Sequence, residues 1–351
     1  MAGLLAAALA LYLAPIVIRA ALRYGIVDKP KPPLKVHSDP VPYLGGMVVF
    51  LAFLIALALT FPFDQRVLAI LLASSLVVSV GLIDDLGTLT PKDKLLGQMV
   101  AALVLVKAGV QINLVALPSP ADEIFSALWL VTCMNAFNIL DVSDGLATTA
   151  GAIGALGALV VSLLNGEPLV AAMAACLLGA CVGFLRVNGQ PARMYLGDTG
   201  SMFLGTVLGA LAIVGRYSER NVVSSWFVPL AILAVPLFDL VLVIIARMMA
   251  RRPVYFGSPD HFAVRLRHHG WQARGIARAA ALVGLAFVGA GVASTLLDNR
   301  GALIVLGAVI VMGLALLVIL LVGFKPLIAR AADVPSEGRA AEAAPPLSAA
   351  Q

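Results

Sequence analysis

Asn135-Ala-Phe-Asn138-Ile-Leu-Asp141-Val-Ser-Asp144-Gly145 closes an apolar run from Ile124 to Leu140 that is long enough to belong to a membrane span. Two amides and two carboxylates recur in it at three-residue spacing. Neighbours three apart share a helix face, but the set drifts, and Asn135 and Asp144 fall on opposite sides of a straight helix. Asp141 and Asp144 converge best if the helix tightens or ends near Gly145. Two readings stand for this stretch alone. Caps favour these residue types. Acids at a membrane boundary are costly unless they pair, bind a cation or face water. The second reading gains weight because the signature recurs elsewhere in the chain.

The 351 residues are 61% hydrophobic and 12% charged, with a mean hydropathy of +1.01. Soluble domains sit near 45–50% apolar and about 25% charged. The class expected is an all-α polytopic membrane protein. Eleven apolar runs read as transmembrane helices, at 3–22, 43–62, 67–83, 95–112, 122–140, 146–164, 169–185, 200–215, 223–246, 276–297 and 301–323. The first lacks a basic leader and a cleavage site, so it reads as a retained span. The tail over 326–351 is rich in Ala, Pro, Ser and Glu and reads as disordered. Cys133, Cys176 and Cys181 all lie inside apolar runs and read as packing residues, with no disulfide framework.

With the N-terminus outside and the C-terminus inside, 19 of the 24 Lys and Arg residues fall in inner segments. The net charge of +5 is therefore read as topology and not as nucleic-acid binding. Under that orientation Asp84, Asp85, Asp93, Asp141, Asp144, Asp198 and Asp260 all reach the cytoplasmic side, from four loops at the ends of spans. That co-location is independent of the Lys and Arg bias. It points to one composite, metal-binding, cytoplasmic site.

Four further segments frame that site. Lys35-Val-His37 precedes the pair Gly45-Gly46, which suits either an anion or the close approach of another helix. Asp84-Asp85 directly follows a span, and adjacent carboxylates need a cation or a lysine to compensate them. Lys94, at the start of the next helix, is placed to do that or to hold a phosphate. Arg186-Val-Asn188 leads through Arg193 into Gly197-Asp198-Thr-Gly200-Ser201, where glycines expose backbone N–H groups and Asp198 offers hard oxygen to Mg²⁺. Asp260-His261, with Arg265, Arg267, His268 and His269, suits a diphosphate or, more blandly, anionic lipid.

Taken together these residues resemble the polyprenyl-phosphate N-acetylhexosamine-1-phosphate transferase family, with matches in the family's order from Lys35 to about His269. The resemblance implies that 1–325 form an integral-membrane transferase domain with cytoplasmic active-site loops in the plasma (inner) membrane. It implies transfer of a sugar 1-phosphate from a UDP-sugar to a membrane polyprenyl phosphate, with release of UMP. It implies Mg²⁺, with Mn²⁺ able to stand in, on Asp198 and Asp141. Asp84, Asp85, Asp141, Asp144 and His261 are the expected catalytic residues. Lys35, His37, Lys94, Asn138, Asn188, Arg193, Arg265, Arg267, His268 and His269 are the expected substrate-binding ones.

The chain departs from the family pattern in two places. A compact His-x-His-His motif is replaced by the spread His261 and His268-His269, which leaves open which histidine takes the family role. A family arginine is replaced by Tyr43. N-acetylglucosamine is the favoured sugar, with the phospho-N-acetylmuramoyl-pentapeptide branch as the alternative. A cation- or proton-coupled transporter is the rival from another class, although it would place acids near mid-span. One-step transfer, a covalent aspartyl route and homodimerisation all stay open.

Overall fold

The computed structural model describes residues 1–28, 40–87, 89–112, 120–215, 217, 220–253 and 260–324. The expected 326–351 tail lies outside them. The described chain is built from helices, apart from one antiparallel ribbon, β1 (Val27–Asp28) and β2 (Val41–Pro42). The helices are α1 (Ala2–Tyr24), α2 (Gly45–Thr60), α3 (Gln65–Asp85), α4 (Pro91–Lys107), α5 (Ala121–Leu140), α6 (Leu146–Leu164) and α7 (Pro168–Asn188). They continue as α8 (Gly197–Val214), α9 (Val223–Ile232), α10 (Ala234–Met249), α11 (Phe262–His268), α12 (Ala273–Leu296) and α13 (Asn299–Val318), which runs into a π turn at Ile319–Gly323.

This is an all-α polytopic membrane protein. Every apolar run read from the sequence is helical. Among the described residues eight helices are long and apolar enough to cross a bilayer, or nine if α9 and α10 count as one broken span. The eleven expected spans differ from that number for physical reasons. The run at 223–246 breaks at Leu233, where α9 and α10 meet at 79°. Pro229 and Pro236 flank the break, each lacking the N–H a continuous helix needs. α2 is apolar but has only 16 residues. The first turn of α4 is the polar Pro91-Lys-Asp-Lys94, which leaves it too short an apolar length.

α8 is the most enclosed span, with α2, α3, α5 and α6 packed around it. Lipid tails are as apolar as leucine, so membrane helices associate by close packing of small residues. Gly46 shows how close: a Cβ there would lie 2.2 Å from the Gly200 nitrogen. The Gly46 N–H donates to the Leu196 carbonyl at 2.8 Å, and the Gly45 N–H to Tyr195 at 3.0 Å. Of the two roles open to this glycine pair, the structure shows the close approach of a helix. Phe50 and Phe53 meet Phe203 edge-to-face below it. All three cysteines are buried and unpaired, as expected of packing residues.

Candidate active site

The N-terminus of α8 is the centre of the polar cluster. Gly197 holds φ +72°, a left-handed conformation that glycine adopts without strain, and a Cβ there would meet the Asp85 carboxylate at 2.6 Å. Asp85, the last residue of α3, reaches across to cap α8. Its Oδ1 accepts the Asp198 N–H at 2.7 Å, and its Oδ2 accepts the Thr199 N–H at 3.1 Å and the Thr199 hydroxyl at 2.6 Å. A carboxylate at a helix N-terminus satisfies orphan N–H groups and meets the positive end of the dipole.

Asp84, one residue earlier, points elsewhere. Its Oδ2 lies 2.8 Å from Lys94 Nζ. Lys94 sits in the first turn of α4, which a reciprocal Thr90–Asp93 capping box fixes in place. Its ammonium also donates to Asp198 Oδ2 at 2.6 Å and to Asn138 Oδ1 at 2.9 Å. Asn138, near the end of α5, donates to Asp198 Oδ1 at 2.6 Å and to Ser201 Oγ at 3.2 Å. Four helices thus each contribute a side chain to one ring. A second polar layer lies beneath it. Asn135 Nδ2 donates to Gln98 Oε1 at 2.7 Å, and Gln98 Nε2 points at the Met202 sulfur at 3.1 Å. Gln98 went unremarked in the sequence because a single amide in an apolar run carries no motif.

α5 ends at Leu140 and α6 restarts at Leu146, with Gly145 left-handed at φ +69°. The break therefore falls where convergence of the two acids needs it. Asp141 receives a backbone hydrogen bond from Gly197. Burial, followed by the negative charges of Asp198 and Asp85, pushes the Asp141 carboxyl up to about 8. Asp144 Oδ2 accepts the Ala192 N–H at 3.2 Å.

The remaining expected residues divide. Arg267 reaches the rim of the 141–145 break, donating to Ser143 Oγ at 2.9 Å. Arg193 is exposed and donates to the Arg186 carbonyl at 3.4 Å. His268 is exposed. Lys35 and His37 lie outside the described residues. Two members are held inside the protein, a correction to their expected substrate contact. Asn188 is 2% exposed, accepting from Thr148 Oγ1 and donating to the Met194 carbonyl, so its amide fixes the segment that leads into α8. Arg265, also 2% exposed, donates to the carbonyls of Leu320 and Phe324 and to Asp260, tying α11 to the end of the last helix. His269 is exposed like His268, while its ring bonds the Arg265 carbonyl and packs edge-on against Phe324.

His261 shows a partner that sequence reasoning missed. Its Nδ1 lies 2.8 Å from Oδ2 of Asp239, which is fully buried in α10, while Asp239 Oδ1 accepts the Phe262 N–H at 2.9 Å. The signal was available, since an acid inside an apolar run is a functional flag by itself. Tyr43, in place of the family arginine, hydrogen-bonds Asp28 of the β1–β2 ribbon.

No group of three His, Cys, Asp or Glu side chains among the described residues converges as a closed metal cage. Mg²⁺ does not need one, because it is held by one or two carboxylates together with substrate phosphates and water. Asp141 and Asp198 supply that donor type, and a cation would offset both the burial of the Asp141 carboxyl and its repulsion by Asp198 and Asp85. The residues fit the ion.

Residues 67–216 match the model of glycosyl transferase family 4. The chain is 31% identical over 286 residues to a probable undecaprenyl-phosphate N-acetylglucosaminyl 1-phosphate transferase of Bacillus subtilis, covering 79% of each chain. It is 32% identical to a decaprenyl-phosphate N-acetylglucosaminephosphotransferase of Mycobacterium tuberculosis, covering 91% of this chain and 88% of that one. A phospho-N-acetylmuramoyl-pentapeptide-transferase of a Synechococcus species is 35% identical over 219 residues, 56% of this chain and 61% of the relative.

Proposed function

Because the chain belongs to glycosyl transferase family 4, we propose that it transfers N-acetylglucosamine 1-phosphate from UDP-N-acetylglucosamine to a polyprenyl phosphate in the membrane and releases UMP. The observation that carries the reading is the meeting of Asp84, Lys94, Asn138 and Asp198 from four helices at the N-terminus of α8. A transporter would favour acids at mid-span, whereas these sit at or beside helix ends. The supporting relatives act on undecaprenyl or decaprenyl phosphate by name.

In this reading an oxygen of the lipid phosphate attacks the β-phosphorus of the donor. The new P–O bond forms as the bond to the UMP oxygen breaks, leaving a lipid-linked diphosphate and UMP. A phosphate monoester has a second pKa near ~6, so the acceptor is largely a dianion at neutral pH and needs no strong base. The obstacle is repulsion. Two unit charges ~4 Å apart repel by about 4 kcal/mol at an effective dielectric of 20. Lys94 supplies a fixed positive charge there, and Arg267 a second at the rim. Asp198 and Asp141 would hold Mg²⁺, which when bound neutralises phosphate charge. Asn138 holds both Lys94 and Asp198 in orientation. Asp85 positions Asp198 through its backbone.

The Lys and Arg bias supports an N-terminus outside, a C-terminus inside and the reacting face toward the cytoplasm of a plasma membrane. The test is to give purified protein Mg²⁺, polyprenyl phosphate and a panel of UDP-sugars and to measure UMP. We expect release with UDP-N-acetylglucosamine. Release only with UDP-N-acetylmuramoyl-pentapeptide would move the chain to the other branch, and no release with any donor would end the proposal. A cysteine placed near Lys92 that reacts with an outside-only reagent would overturn the orientation.

A further inference from the structure

We propose that a cavity between α6, α7 and α12 binds the phosphate head of an anionic membrane lipid, apart from the Asp84–Lys94–Asp198 cluster. It encloses about 380 Å³ beside the 141–145 break. Three arginines line it, Arg186 at the end of α7 and Arg274 and Arg278 on the first turns of α12. Arg274 is held in place, its N–H donating to Gln190 Oε1 at 2.6 Å and its Nη2 to the Gln190 carbonyl at 2.8 Å. Among the described residues no carboxylate pairs with any of the three. Asp144 is the single acid in the lining, and one of its oxygens already accepts the Ala192 N–H. The cavity therefore carries a net positive charge that no carboxylate among the described residues pairs with.

Guanidinium groups present paired N–H donors that match phosphate oxygens. Leu185, Ala277 and Ala281 add apolar surface to the lining. One turn deeper into the span on each side the surface stays apolar and open. Val182, four residues before Arg186, is 53% exposed, and Leu282, four after Arg278, is 69% exposed. Charge at the helix ends with an exposed apolar path leading from it suits an amphiphile better than free phosphate. A free anion would use the arginines and leave the path unused.

The test uses the full chain in phosphatidylcholine nanodiscs, titrated with phosphatidic acid and read by native mass spectrometry. It needs no transfer activity, so its failure is separable from failure of the proposed function. We expect saturable binding of phosphatidic acid at one site. Replacing three arginines, each worth about a factor of five near an anionic surface, with R186Q/R274Q/R278Q should weaken binding by roughly 100-fold. The exposed single change Arg278→Gln should weaken it several-fold without threatening the fold, and Leu282→Asn should weaken the lipid while sparing inorganic phosphate. The proposal is overturned if the triple variant binds phosphatidic acid within a factor of three of the unaltered chain. It is also overturned if phosphatidylcholine binds equally well, or if millimolar inorganic phosphate displaces the lipid. Polyprenyl phosphate, as a further arm, should compete with phosphatidic acid for the cavity, and failure to compete would exclude it as an occupant.

Discussion

Asp84 and Asp85 are adjacent and chemically identical, yet the structure gives them opposite work, and a paired substitution separates the two. Asp85→Asn keeps the shape and removes the charge. Its amide oxygen can still accept the two hydrogen bonds from Thr199, but its NH₂ would then face the Asp198 N–H, donor against donor. A hydrogen bond to a charged partner contributes about 1.5–3 kcal/mol, and an orphaned buried N–H costs about 1–3 kcal/mol. We therefore expect Asp85→Asn to lose about 3 kcal/mol, a fall in Tm of roughly 4 °C for a chain of 351 residues. Asp84 touches Lys94, which keeps Asp198 and Asn138 when Asp84 is changed. A partly exposed ion pair contributes about 0–1 kcal/mol. Asp84→Asn should leave Tm within about 2 °C while slowing UMP release by roughly 100-fold, the loss typical of one organised charge at a reacting group. Fluorescence-monitored unfolding and initial rates of UMP release, measured on the same preparations, make the comparison. Equal Tm values for the two variants would refute the division of roles.

Four other outcomes follow from the contacts described above. Asp198→Asn removes the carboxylate that Lys94 and Asn138 both grip, and transfer should fall by at least ~100-fold with normal expression; full activity at ordinary Mg²⁺ would take Asp198 out of the site. His261→Ala should slow UMP release ~10-fold more than His268→Ala or His269→Ala, equivalent to about 1.4 kcal/mol. Asp239→Asn should reproduce most of that loss, because Asp239 fixes the imidazole. Arg265→Ala leaves the carbonyls of Leu320 and Phe324 unpaired, so it should lower Tm by roughly 4 °C, about 3 kcal/mol, with the donor KM little changed.

The fold was legible because its cause is one-dimensional. A run of about 20 apolar residues must become a helix in lipid, and every such run did. What lipid does not dictate is where a helix breaks under proline, as at Leu233, or how much of a polar first turn an apolar run can carry, as in α4. The site was legible to the level of segments. Asp84, Asn138 and Asp198 were each placed beside a span end by spacing alone, and the structure brings them together on Lys94. Direction was not legible. Successive residues on a helix point about 100° apart, so Asp84 and Asp85 diverge although the sequence presents them as a pair. Short α11 repeats the lesson. Arg265 and Arg267 are two residues apart, and two helical steps turn a side chain to the far face. One arginine is buried against the carbonyls of the last helix, and the other is exposed at Ser143 beside the reacting cluster. Charge type predicted the same role for both. Burial decides between them, and burial of Arg265 depends on residues 320 and 324, which no local reading of residues 260–269 contains.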